Sequence, residues 1–173
     1  FGGGTTDFSF GICKYIEDDF KSYDYEITYF DEGGDKYLGG ENILKSLAFE
    51  LCKNNIELLK TNDIHFTCPN GCDKEFKGYE GMIDNSYEAI YNIKYIAEKL
   101  RNFWEEKDDE LSDQNTITLA ELYDSNSNTK SLTLKFDKDK YEKLINKILK
   151  KGIDNFISYL TMVFQEKKIG ANN

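Results

Sequence analysis

Two apolar periodicities alternate along this chain, and their order restricts the folds open to it. Phe8, Phe10 and Ile12 alternate with small or polar residues, and residues 23–30 alternate again. A period of two is the signature of half-buried strands, so these segments predict an antiparallel hairpin. Glu17-Asp18-Asp19 reads as its solvated turn, and Asp31 to Asp35 as a loop behind it. From Ile43 the spacing lengthens through Leu47, Leu51, Ile56, Leu58 and Leu59, predicting one helix over roughly 41–60. Ile90, Ile93, Ile96, Ala97, Leu100 and Trp104 predict a second, over roughly 86–106. Thr116 to Tyr123 and Ser131 to Phe136 are strand-like, around an Asp124–Asn128 loop. Asp137 is placed to cap a last helical stretch that Gly152 is expected to bend or split. The order is α+β with antiparallel strand hairpins and long helices, not alternating βαβ units.

Composition narrows function. The 173 residues suit one domain with a core that needs no disulfide or metal staple. With 22 Lys+Arg against 32 Asp+Glu, the net charge is -10, and such a surface repels phosphate backbones. A nucleic-acid partner is therefore not expected. No apolar run approaches the ~18 residues of a membrane span, so no membrane partner is expected either. The chain begins Phe1-Gly2 rather than with Met, as a piece of something longer would. No basic and apolar leader is visible, and the four cysteines are irregularly spaced. Both points favour a reducing, cytoplasmic setting.

Phe1-Gly-Gly-Gly-Thr-Thr-Asp7 carries the most chemistry. Gly2, Gly3 and Gly4 let a backbone approach a ligand with its N–H groups forward. Thr5 offers a hydroxyl to a phosphate oxygen, and Asp7 a carboxylate to magnesium or its water shell. No Gly-Lys-Ser/Thr follows, so the segment is not a P-loop. A plain strand-edge turn is the alternative.

A second segment, Gly34-Asp-Lys-Tyr-Leu-Gly-Gly-Glu-Asn42, follows closely. Together the two resemble the seventy-kilodalton heat-shock chaperone (DnaK) family. There Asp-Leu-Gly-Gly-Gly-Thr-Phe-Asp precedes Gly-Asp-x-x-Leu-Gly-Gly-Glu-Asp. Ala97-Glu-Lys-Leu-Arg101 is similar to the family's adenosine-gripping Ala-Glu-Lys-Ala-Lys helix. Ile117-Thr-Leu-Ala-Glu-Leu-Tyr-Asp124 and Lys138-Asp-Lys-Tyr-Glu-Lys-Leu144 resemble its next strand and helix start. The resemblance implies an actin-like ATPase lobe II fragment, subdomain IIB plus part of IIA. Residues 1–40 would be a partial inner subdomain and 41–136 the outer one, with an extra excursion at 61–85. Residues 137–173 would return to the inner subdomain. It further implies ATP/ADP with Mg2+ as cofactors, a nucleotide-exchange factor and co-chaperone as partners, and hydrolysis coupled to protein folding in the whole protein. The fragment alone, without lobe I, is expected to be inactive. By the same resemblance Glu98 takes the ribose hydroxyls, and Arg101 stands for the family's lysine beside the nucleoside. Asn102 lies against the adenine, and Gly39 and Gly40 open the neighbouring wall.

The chain also departs from that pattern. The aspartate before the glycine run is not in it, Thr6 stands for a phenylalanine, and Glu105 falls on an adenosine-binding serine. These departures imply a divergent member. They also keep a second class open, an interaction module that docks an exchange factor or other partner without ATP chemistry. The acidic run from Glu105 to Glu110 reads as a solvated helix end, or as a patch for a basic partner. Arg101 is the only arginine in a lysine-rich chain, suited to planar recognition or merely to a solvated face. His65, Cys68 and Cys72 lie within one short excursion around Pro69-Asn70-Gly71. Zinc asks for four N/S ligands, so unligated thiols at a small hairpin are expected before a metal site or a reversible disulfide. A single histidine leaves no nucleophile–base pair to propose.

Overall fold

The computed structural model describes residues 3–16, 23–73, 76–105 and 115–166. Among them it is a mixed α+β protein with two antiparallel hairpins and four α-helices. Strand β1 (Thr6–Tyr15) pairs with β2 (Tyr25–Asp35), and β3 (Thr116–Tyr123) with β4 (Thr129–Lys135). The helices are α1 (Gly40–Asn54), α2 (Ile56–Thr61), α3 (Tyr87–Trp104) and α4 (Lys138–Glu166). No helix among the described residues is long and apolar enough to cross a membrane.

The main core lies between α1, α3 and the inner face of β3–β4, where Leu47, Leu51, Ile96, Leu100, Leu119 and Leu134 are buried. Asn92 of α3 is a fully buried polar residue beside it. Its amide donates to His65 O and Tyr123 O (both 2.9 Å) and accepts from Tyr123 N (2.8 Å). Every arm of that buried side chain is thereby satisfied, which is the condition for burying it cheaply.

The hairpin β1–β2 packs on the second half of α4. Phe10 stacks on Phe156 and Tyr159 at 5.7 and 5.8 Å, and Phe8 meets both rings edge-on. Gly33 of β2 lies under the Tyr159 ring, where a Cβ would come within 2.9 Å. That contact corrects the expected Asp31–Asp35 loop. The segment is strand, with Gly33 opposite Phe8 and Gly34 opposite Asp7, after a bulge between Phe10 and Gly11. Glycines there make room for rings and a carboxylate rather than for a turn.

Three other expectations change. The helix expected over 41–60 breaks at Asn55, because that buried side chain serves the β4 edge. It donates to Lys135 O (3.0 Å) and accepts from Lys135 N (2.8 Å). Gly152 does not split α4; it is buried against Leu38, whose Cδ1 would lie 2.8 Å from an added Cβ. Around Pro69 there is no hairpin among the described residues, only a bridge between Phe66 and Ile83. Asp137 does cap α4, accepting from Lys140 N (3.1 Å). The Glu17–Asp19 turn and residues 106–110 of the acidic run lie outside the described residues, as does the side chain of Trp104.

Candidate functional site

Gly39 is the N-cap of α1, buried and extended (φ -139, ψ 154). Its missing side chain lets the glycine run lie directly on it. An added Cβ would come within 2.7 Å of Gly3 O and of Thr5 N, both main-chain atoms. Gly40, the next residue, has nothing within 4 Å of the same position. One glycine of the pair therefore serves backbone packing, and the other faces open space.

Hydrogen bonds lock the two segments together. Glu41 N donates to Gly3 O (2.6 Å), and the Asn42 amide donates to Gly4 O (2.6 Å) and Lys36 O (3.2 Å). The Thr6 hydroxyl, where the resembled family has phenylalanine, donates to Leu38 O. Thr5 donates to Asp7 Oδ2 (3.3 Å).

The third segment reaches the same place from α3. Arg101 Nη2 meets Glu41 Oε1 at 2.5 Å, its Nε meets Glu98 Oε2 at 3.0 Å, and Glu105 Oε1 stands 3.8 Å from Nη1. The hydrogen bonds it donates to Glu41 and then to Glu98 hold the guanidinium above its ordinary pKa. Glu98 and Arg101 are three residues apart and so share one helix face. Asn102 is exposed on the same helix.

Four of the expected site residues, Gly3, Gly4, Arg101 and, through it, Glu98, are thus linked through Glu41 and Asn42, two motif residues that were given no role of their own. Their signal was present: an acid and an amide in the first helical turn, directly behind a glycine pair. Asp7 stands apart. It is exposed on β1 and lines an open cleft of about 570 Å³ with Ser9, Glu32 and Gly33. Gly39, Gly40, Glu98 and Arg101 are not among that cleft's described lining residues. Gly2 lies outside the described residues.

The structure does not assemble His65, Cys68 and Cys72. His65 Nδ1 lies 2.6 Å from Asp84 Oδ2, and Nε2 lies 3.3 Å from Asp63 Oδ1, so both ring nitrogens are engaged elsewhere. Among the described residues no group of three His, Cys, Asp or Glu is arranged to hold a metal ion. Cys68 and Cys72 flank a turn closed by Cys72 N donating to Pro69 O (3.2 Å).

No protein-family model matches the chain, and no curated protein matches it.

Proposed function

We propose that this chain is the lobe II part of the nucleotide-binding domain of a divergent DnaK-like chaperone, with ATP/ADP and Mg2+ as its ligands. One observation carries the proposal. Three segments distant in sequence, the glycine run, the Leu38-Gly-Gly-Glu41 turn and the Arg101 face of α3, are joined by direct hydrogen bonds. A phosphate cradle next to a nucleoside clamp needs that adjacency. A strand-edge turn alone does not.

In this reading the N–H groups of the glycine run and the Thr5 hydroxyl take phosphate oxygens, and Arg101, held flat by Glu41 and Glu98, lies beside the nucleoside. Asp7 orients the hydration shell of the magnesium, which supplies charge neutralisation at the phosphates when bound. Hydrolysis, coupled to protein folding, belongs to the whole protein, where a second lobe closes over the nucleotide. The chain alone binds nucleotide weakly and hydrolyses none.

An interaction module that docks a nucleotide-exchange factor or other partner without ATP chemistry is the second reading. It is favoured by the ring of Glu41, Glu98 and Glu105 around one arginine. Titration of Mg-ATP and Mg-ADP into the folded chain by calorimetry separates the two. Saturable binding, weakened in Arg101→Ala and Asp7→Asn, is the expected result. No saturable heat from a chain shown to be folded by circular dichroism refutes the nucleotide reading and leaves the docking module.

A further inference from the structure

The four cysteines occupy distinct environments. Cys52 is fully buried in α1, and burial pushes its thiol far up, which makes it inert. Cys13 is exposed on the outer half of β1. Cys68 and Cys72 are half-buried thiols at the two ends of one turn, within reach of small solutes.

That turn draws the pair together. Gly71, at φ +85, takes the left-handed conformation that Cys72 N needs to reach Pro69 O. Cys68 Sγ lies over the turn, 3.6 Å from Pro69 O and 3.9 Å from Cys72 O. The Cys72 thiol points to α1, 3.4 Å from Ser46 Oγ. Pairing requires the Cys72 side chain to leave Ser46, and Asn70 and Gly71 at the tip of the turn are exposed.

We propose that Cys68 and Cys72 form a reversible intrachain disulfide, and that its closure loosens the wall beside Gly39 and Gly40. The coupling runs through Tyr37. A Cβ on Gly71 would lie 3.1 Å from Tyr37 Cγ, so the turn rests on the residue just before Leu38-Gly-Gly. Giving up the Ser46 contact shifts the turn on both α1 and Tyr37. The chemistry is thiol–disulfide exchange with a low-molecular-weight disulfide such as oxidised glutathione. One protein thiolate attacks it, forming a mixed disulfide and expelling one glutathione thiolate. The second protein thiolate attacks the protein sulfur of that mixed disulfide and expels the other. The protein loses two protons and two electrons, and the small disulfide becomes two thiols.

The test uses the chain carrying Cys13→Ser, so that the exposed thiol cannot scramble pairs. It is equilibrated in glutathione buffers of graded ratio, blocked with iodoacetamide and digested with trypsin. The tryptic peptide from Thr61 to Lys74 contains both cysteines. Under oxidising ratios it should lose about 2 Da and take up no alkyl group, and under reducing ratios it should take up one at each cysteine. Cys68→Ser and Cys72→Ser should each instead retain a glutathione adduct that the missing partner can no longer expel. Alkylation of both sulfurs at every ratio, or adducts that persist on both in the Cys13→Ser chain, would overturn the pairing. Hydrogen exchange over 36–41 should be faster in the disulfide form. Equal protection in both forms overturns the coupling to the glycine wall.

Discussion

Gly39 and Gly40 are adjacent in sequence and should respond to alanine with opposite signs. Gly39 already has an extended backbone that any residue adopts, so Gly39→Ala carries no dihedral penalty. Its cost is contact alone. The new methyl would stand 2.7 Å from Gly3 O and Thr5 N, and main chain on both sides cannot swing aside as a side-chain end does. Overpacking of this kind costs about 1–3 kcal/mol. For a chain of this size each kcal/mol moves the melting temperature by about 2–4 °C, so Gly39→Ala should melt roughly 2–12 °C lower. Gly40→Ala meets nothing within 4 Å and opens a helix. Reduced freedom of the unfolded chain should stabilise it by about 0.4–1 kcal/mol, or roughly 1–4 °C. Thermal unfolding followed by circular dichroism reads both. Nucleotide titration adds a second axis: on the nucleotide reading, Gly40→Ala should weaken Mg-ATP binding while raising stability, because its methyl enters open space next to the Gly39 contact with the glycine run. Two alanines shifting the melting temperature in the same direction would refute the assignment of one glycine to packing and the other to open space.

Other perturbations read other parts of the molecule. Asn92→Ala removes three hydrogen bonds from a fully buried position and should destabilise by about 3 kcal/mol, at ~1 per orphaned backbone group, measured by urea unfolding. Gly152→Ala pushes on Leu38 and should cost about 1–2 kcal/mol. Leu38→Ala in the same chain should restore part of that loss, so strict additivity in a double-mutant cycle would argue against the contact. Stability should fall in acid below about pH 4, where carboxylates of ordinary unfolded pKa take up protons. Asp63 is held low by the Ser125 hydroxyl and then His65, and Asp124 by hydrogen bonds from Asn128 and Asn126. Asp84 is pushed up by burial, but hydrogen bonds from Ser86 and His65 outweigh it. Groups depressed on folding contribute stability above their unfolded pKa and lose it as pH falls through the folded value. Urea midpoints from pH 7 to 2.5 should therefore decline more steeply in the parent chain than in Asp63→Asn.

The element order was legible because it rests on local periodicity. The alternation around Phe8 and Thr116, the helical spacing from Ile43 and Ile90, and the Asp137 cap each involve residues within a turn or two of one another. The glycine motifs were legible as candidates for the same reason, since their spacing is a property of single segments. Their adjacency was not. It depends on Glu41 N meeting Gly3 O across 38 residues of chain, and on Arg101 reaching Glu41 across 60.

Tertiary contact also decided what individual residues are for. Asn55 ends a helix because an unpaired strand edge lies beside it, and Gly152 sits mid-helix because Leu38 needs the room. Gly33 belongs to a strand because the ring of Tyr159 covers it. His65 left the cysteine turn for Asp63 and Asp84, whose positions no local pattern encodes. Sequence by itself determined the order of strands and helices, because side-chain periodicity is set by the backbone repeat. Only the tertiary structure decided which backbone groups meet and which glycines make way for them, because close packing is a condition on pairs of distant residues.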